Sequence, residues 1–344
     1  MATIKDVAHL AGVSVATVSH VLTGKVFVSR PLAERVRRAV EELDYQPNLQ
    51  ARNLRRKVTG LLGLIVPDNG NPFFSQLAKG VEDTAYRAGY VCILSNSTYD
   101  AARELAYVDA LVAHRADGII LIPVSGGLSL ERLARRGTAV VLADRKASSA
   151  AVDSVRVDNW KGGYLAGEHL VSLGHKRIAC ISHPEEQELG HLHERTSGFL
   201  QAIADADLKA TVYRGGLGYQ AGEEVAAAIL DGAQRPSAIF AYDDVTAIGV
   251  MRAARERRLS VPDDLSVVGF DDIPAAAMLE PPLTTVAQDA YRLGETACEL
   301  LLRRLRHEGP PERQEVLLEP ELVVRESTAA PRGVPAEFPR GGVN

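Results

Sequence analysis

The chain has 344 residues, 46% hydrophobic and 24% charged, the composition of a globular protein long enough for two or three domains. Three cysteines far apart, Cys92, Cys180 and Cys298, exclude a disulfide framework and a cysteine metal cluster; each reads as a small buried hydrophobe. The formal net charge of −5 hides a split: residues 1–57 hold 10 Lys+Arg against 5 Asp+Glu, and the remainder holds 29 against 39. A basic head on an acidic body is the asymmetry of a protein with a nucleic-acid-binding end.

The N-terminus, MATIKDVAHLAG, has no signal-peptide layout, and no apolar stretch approaches the ~18 residues of a membrane span, so a cytoplasmic, nucleoid-associated protein is expected. Ile4, Val7, Ala8 and Ala11 share one helical face, with Thr3 as cap, Asp6 three residues on and Gly12 as stop. Ser14 caps a second helix that runs from Val15 to about Thr23. Two short helices joined by Gly12-Val13-Ser14 have the helix-turn-helix layout. Val7, Ala8, Val18, Val21 and Leu22 form its core, which leaves Val15, Ala16, Thr17, Ser19 and His20 to face the major groove. Ser29 caps a third helix with Pro31 in its first turn. Leu32, Val36, Ala39, Val40 and Leu43 are its apolar stripe, and Arg35, Arg37 and Arg38 lie on its basic face. After Tyr45-Gln46-Pro47-Asn48, the basic segment LQARNLRRK has too little apolar surface to hold itself as a helix; a duplex is what it would fold against.

From Gly60 the pattern changes. GLLGLIVP, YVCILSN, DGIILIP and AVVLAD read as buried parallel strands, separated by helices near 73–88, 101–114 and 129–136. A second series follows, RIACIS, ATVYRG, SAIFAYDD and SVVGFDD, with helices near 160–173, 193–205, 219–231 and 243–258. Two such series make two doubly wound α/β lobes. Ligands bind beyond the carboxyl ends of parallel strands. The polar and aromatic residues there are Phe73 and Phe74, Arg145 after Asp144, Arg195 at a helix start, Asp243 and Asp271. An apolar platform with charged forks suits a polyhydroxylated or nucleoside-like ring. Each strand-end carboxylate could equally be a helix cap.

TIKDVAHLAGVSVATVSHVLTG, YQPN, ARNL and GLLGLIVPD, at these spacings, resemble the head and hinge of LacI/GalR-family transcriptional regulators, and the likeness extends over residues 3–327. The resemblance implies a helix-turn-helix head (1–46), a hinge helix and linker (47–59) and a periplasmic-binding-protein-like body (60–328). It allots 60–158 plus 289–319 to lobe one and 159–288 plus 320–328 to lobe two, leaving a disordered tail from 329. It implies Thr3, Val15, Ala16, Thr17, Ser19, His20, Thr23, Asn48, Ala51 and Leu54 as DNA contacts, with Leu54 wedged into the minor groove. It places Phe73, Phe74, Arg145, Arg195, Asp243 and Asp271 in an effector pocket. The partners it implies are a near-palindromic operator, a small effector and a second copy of the chain. Departures are His20 where the family has Arg, Asn53 where it has Ser, Leu217 where it is often aromatic and Asp243 where it is often Asn. A His offers guanine a poorer match than a guanidinium, so an altered base preference is expected.

Two competing readings remain. Gly216-x-Gly218-x-x-Ala221 after a strand, with Asp243 beyond, outlines a dinucleotide fingerprint and a nicotinamide-dependent oxidoreductase. A sugar-binding receptor with no regulatory role is the other. The chain has no HExxH, GxSxG or P-loop and no Cys/His pair at ligand spacing, so neither catalysis nor a metal or cofactor is expected. His183, His191 and His193 in one stretch read as a surface loop.

Overall fold

A computed structural model describes residues 2–23, 26–45, 58–124, 130, 133, 136–145, 152–183, 191–310 and 312–332, and the chain divides into two units, Met1–Thr59 and Gly60–Asn344. Residues 47–57 of the expected hinge, with Asn48, Ala51 and Leu54, lie outside the described residues. So do most of the helix expected at 129–136 and the tail from 333.

Among its described residues the head has three helices, α1 (Ile4–Ala11), α2 (Val15–Thr23) and α3 (Arg30–Glu42). α1 starts because Thr3 and Asp6 close a capping box, the Thr3 amide donating to Asp6 Oδ2 at 2.8 Å and the Asp6 amide to Thr3 Oγ1 at 3.4 Å. It stops at Gly12, whose φ of +59° is a left-handed cap. α2 starts where the Thr17 amide donates to Ser14 Oγ at 3.1 Å. Ser29 precedes α3 but its hydroxyl caps nothing, contrary to expectation; Pro31 removes one of the two amides such a cap could use. Val7, Ala8, Ala11, Val18, Val36, Ala39 and Tyr45 are buried together. On α3 the buried stripe includes Ala33, while Leu32 is only half-buried. Arg35 is not simply part of a basic face. It turns back on α1, donating through Nη2 to the carbonyls of Ala11 (2.5 Å) and Gly12 (3.1 Å). It thereby satisfies C-terminal acceptors that the helix itself leaves open.

The body has two six-stranded sheets. The first contains β1 (Leu61–Val66), β2 (Val91–Asn96), β3 (Gly118–Leu121), β4 (Ala139–Ala143), β5 (Asp153–Val157) and β11 (Glu315–Leu318), ordered β11-β5-β4-β3-β1-β2 and parallel throughout. The second contains β6 (Ile178–Ser182), β7 (Ala210–Arg214), β8 (Ala238–Ala241), β9 (Ser266–Asp271), β10 (Thr284–Ala287) and β12 (Glu321–Val323), ordered β12-β10-β9-β8-β6-β7. β12 departs from the parallel expectation, pairing antiparallel with β10, and β2, expected as a buried strand, is instead a largely exposed edge strand, as is β7 at the edge of the second sheet. β5 and β10 are too short and too polar (DSVRV, TTVA) to register as apolar runs. The chain passes from the first sheet to the second after β5, returns after β10, and crosses again between β11 and β12.

Among the described residues, seven α-helices flank these strands: α4 (Pro72–Arg87), α5 (Ala101–Ala113), α6 (Asn159–Ser172), α7 (His191–Asp205), α8 (Gly218–Asp231), α9 (Asp244–Glu256) and α10 (Ala290–Leu305). Three helix pairs meet backbone to backbone through reciprocal glycines. A Cβ at Gly80 would lie 2.1 Å from Tyr291 O, and one at Gly294 2.0 Å from Leu77 O, across α4 and α10. Gly163 and Gly198 do the same across α6 and α7, each 1.9 Å from a carbonyl of the other helix (Arg195, Trp160). Gly222 and Gly249 join α8 and α9, at 2.8 Å from Thr246 O and 2.3 Å from Tyr219 O. No side chain fits at these crossings without moving a helix.

The tail differs from expectation at its start. Residues 329–332 are fastened to the second lobe: Ser266 Oγ donates to Ala329 O at 3.1 Å, and Arg332 pairs with Asp264 at 2.8 Å. Cys180 and Cys298 are buried and Cys92 is half-buried. Burial pushes the Cys92 and Cys298 thiols up to about 12, so they stay protonated and unreactive at neutral pH.

Candidate functional site

The strand ends of both lobes converge on one cleft. After β1, Asn71 caps α4 by accepting the Phe73 amide at 3.0 Å, with Pro72 in the first turn. This seats Phe73 and Phe74 edge to face, their ring centroids 5.2 Å apart. Beyond β4, Arg145 curls onto its neighbour, donating from Nη1 to Asp144 Oδ2 at 2.5 Å and to the Asp144 carbonyl at 3.1 Å.

The second lobe supplies Arg195 from the start of the second turn of α7. Its Nε donates to Asn159 Oδ1 at 2.6 Å, and its Nη1 to Tyr242 O at 2.8 Å and to Asp271 Oδ1 at 3.4 Å. Its guanidinium carbon lies 3.9 Å from the centre of the Phe270 ring. Gln288 holds Asp271 Oδ1 from the other side at 2.5 Å. Asp271 has a φ of +111°, a backbone region that non-glycine residues avoid, so these contacts must hold it there. Asp243 caps α9, accepting the Thr246 amide at 2.7 Å.

All six residues expected at an effector site, Phe73, Phe74, Arg145, Arg195, Asp243 and Asp271, line a single cleft, together with Asn71, Tyr99, Asp144, His183 and Tyr242. The space between these side chains, with the solvent at its open mouth included, is about 340 Å³. Burial raises Asp243 and Asp271 above the usual carboxylate range, and in Asp271 the Arg195 guanidinium opposes that rise. His183 is pulled down to about 3, by burial first and then by Arg145 and Arg195, so its imidazole is neutral. Asp144 Oδ1 and Arg145 Nε are buried with no hydrogen-bond partner among the described residues.

Sequence reasoning missed Asn71, Tyr99, His183 and Tyr242. His183 corrects the surface-loop expectation: it follows β6, is 5% exposed and packs edge-on to Tyr242 at 4.9 Å. Its place immediately after RIACIS was the available signal. The Gly216 turn, the supposed dinucleotide fingerprint, instead accepts the Tyr242 hydroxyl on its carbonyl at 3.2 Å and abuts Ala221. Leu217 is half-exposed and precedes α8.

In the head, Val15 and Ala16 are exposed and Thr17, Ser19 and His20 half-buried along the start of α2, which Thr23 closes. Thr17 Oγ1 lies 2.9 Å from Ser14 Oγ, and the Thr3 hydroxyl donates to Asp6 Oδ2 at 2.7 Å, so both also serve helix starts.

Residues 3–48 match the bacterial regulatory proteins of the lacI family, and residues 168–328 a periplasmic binding protein-like domain. The transcriptional repressor PurR of Photobacterium profundum is 36% identical over 333 residues, 95% of this chain and 98% of that one. The chain belongs to the lacI family of bacterial regulatory proteins. The repressor CytR of Escherichia coli is 35% identical over 338 residues, 96% of this chain and 97% of its own. Among solved structures, the lac repressor dimer bound to operator and the anti-inducer ONPF superposes with a TM-score of 0.84, at 29% identity, over 96% of this chain and 99% of that one. A lacI-family regulator from Enterococcus faecium with bound ribose gives 0.73, at 34% identity, over 78% and 99%. This lacI-family member is a DNA-binding transcriptional repressor with a small-molecule-binding body, and not an enzyme. The oxidoreductase and the purely sugar-binding readings fall with that assignment.

Proposed function

We propose that two copies of this chain bind a near-palindromic operator in the cytoplasm, each reading one half-site, and that a small polar effector in the interlobe cleft controls the binding. The observation that carries the reading is the convergence of Phe73, Phe74, Arg145, Arg195, Asp243 and Asp271 on one cleft between the sheets. A two-fold dimer matches a two-fold site. Val15, Ala16, Thr17, Ser19 and His20 face the major groove, with Thr3, Thr23, Asn48 and Ala51 as flanking contacts. Leu54 of each copy opens the central minor groove, its unstacking cost offset by the contacts that a bent duplex permits.

The effector acts through its different affinity for two arrangements of the lobes. The lobes join at the three crossovers, after β5, after β10 and between β11 and β12, so their relative angle is the coordinate a cleft ligand biases. Arg195→Ala and Asp271→Ala each abolish the effector response in a mobility shift while apo operator binding stays within a few fold. Collapse of apo binding in both would make these residues structural. Leu54→Ala weakens operator binding far more than binding to random DNA; equal loss on both rejects the wedge.

A further inference from the structure

We propose that Arg156 is a positioning residue for the switch between lobe arrangements: through Glu194 it latches lobe one onto the helix that carries Arg195. The inference rests on the reading of the lobe angle as the coordinate that controls operator binding, and names side chains that bias that angle before any ligand arrives. Arg156 stands on β5 of the first sheet, just before the chain first crosses to lobe two. Its Nε donates to Glu315 Oε1 on β11 at 2.8 Å, and its Nη1 to Glu194 Oε2 on α7 at 3.4 Å. The two carboxylates belong to different lobes. β11 is paired with β5, Leu317 opposite Arg156, so Glu315 moves with Arg156 whatever the lobes do. α7 packs into the second sheet through Phe199 and Ile203, so Glu194 moves with lobe two. Glu194 immediately precedes Arg195, whose own bonds to Asn159, Tyr242 and Asp271 all run within lobe two. A cleft ligand acting on Arg195 and a rotation of lobe one acting on Glu194 thus bear on successive residues of one helix.

The pair can open without stranding a charge. When Glu194 moves away, Arg156 keeps Glu315. Glu194 lies in the first turn of α7, where the positive end of the helix dipole favours a carboxylate, and its side chain is 30% exposed, so water takes the place of the guanidinium. Arg313, 3.2 Å from Glu315, holds that carboxylate if Arg156 swings toward lobe two. A contact of 3.4 Å is near the long end for a hydrogen bond, so about an ångström of lobe movement breaks it. A fully buried pair whose separation left a bare charge would lock the lobes. This one, part-exposed on the Glu194 side, only biases them, by about two- to fivefold in population.

The test reads the distance between the lobes in the ligand-free, full-length protein. Nitroxide labels on Arg103→Cys of α5 and Lys176→Cys ahead of β6, both exposed positions, report it by pulsed EPR. Labelled chains are diluted into unlabelled protein so that each distance is read within one chain, and protein without the two added cysteines corrects for label on native thiols. Glu194→Gln and Arg156→Met each shift the population of distances by about two- to fivefold, and the double variant shifts it no further than either alone. Unchanged distances in both single variants overturn the latch. So do effects that add in the double variant, or an effect of Glu194→Gln that Arg156→Met does not share, which would assign Glu194 to the start of α7 alone. A mobility shift with a DNA site selected by the wild-type protein from random sequence separates this failure from that of the underlying reading. Affinity for that site changes in step with the distances. If the distances shift and the affinity does not, the latch stands and the lobe-angle reading falls.

Discussion

Replacing Gly163 by alanine tests whether the α6–α7 crossing is what aims Arg195 into the cleft. The added Cβ would lie 1.9 Å from the carbonyl oxygen of Arg195 itself. Carbon and oxygen tolerate about 3.3 Å at closest, so α7 must retreat by roughly 1.4 Å at the residue that bears the guanidinium. A shift of that size stretches the 2.6 Å bond to Asn159 and the 2.8 Å bond to Tyr242 beyond hydrogen-bonding range. Overpacking costs about 1–3 kcal/mol, against which alanine recovers up to about 1 kcal/mol of helix propensity. The net expectation is a decrease of about 1–2 kcal/mol in stability. Charged hydrogen bonds are worth about 1.5–3 kcal/mol, so displacing the arginine weakens a cleft ligand by about 10- to 100-fold. The chain's one tryptophan, Trp160, is on α6, stacked on Tyr164 at 5.3 Å, and its carbonyl faces Gly198 across the same crossing. Thermal unfolding followed by Trp160 emission, with titration of a bound probe, reads both effects. An alanine variant with unchanged melting temperature, emission and affinity would show that the crossing does not fix Arg195.

The other predictions concern buried charge and the head. Asp244 accepts from Thr285 Oγ1 at 2.5 Å and from the Ile273 amide at 2.8 Å, and burial pushes its carboxyl up to about 8. Raised above its unfolded value of 3.8, it contributes stability below about pH 4 that is lost as pH climbs toward 8. Asp244→Asn, whose amide can still donate to the Thr285 hydroxyl, therefore gains on wild type across that window by up to about 1.4 kcal/mol per pH unit; parallel melting curves would contradict this. Asp244→Ala leaves both donors unsatisfied and costs about 2–4 kcal/mol by denaturant titration. The His175 and His183 imidazoles are held down to about 4 and about 3 by burial, the opposite sign: stability present above pH 6.5 is lost as pH falls below it. Their ring protons stay unshifted by NMR between pH 8 and 5, and titration near 6.5 would overturn the assignment. Arg35→Ala leaves the salt slope of operator binding unchanged, because that guanidinium serves the α1 carbonyls, whereas removing a cation that pairs with a phosphate lowers the slope by about 0.9. A slope reduced by that much in the Arg35 variant would assign its guanidinium to the DNA backbone instead.

Long apolar strands and capped helices were legible because burial writes a period into the chain. VATVS, YQPN and GLLGLIVPD carried the family resemblance, and positions at strand ends and helix starts, together with that resemblance, picked out six residues that line the cleft. The remainder is written by tertiary packing. Tyr99, His183 and Tyr242 carry no motif; they enter the cleft because the chain stops being strand where the two lobes face each other. Arg35 reads as one of three surface arginines until α1 ends beside it. Ser29 looks like a cap until Pro31 withholds an amide. The glycines of the helix crossings look like weak helix positions, since their reason lies on another helix.

Those six glycines have a consequence for how variation in this chain reads. Gly80, Gly163, Gly198, Gly222, Gly249 and Gly294 are far apart in sequence, yet each meets the backbone of a partner helix. In a saturation-mutagenesis survey of repressor activity they would rank with Arg195 and Asp271 as intolerant, though none lines the cleft. A map of intolerance alone would draw the binding site too large. Scoring the same variants for folded abundance sorts them: glycine replacements lower the amount of protein, whereas cleft replacements leave the amount and remove the response.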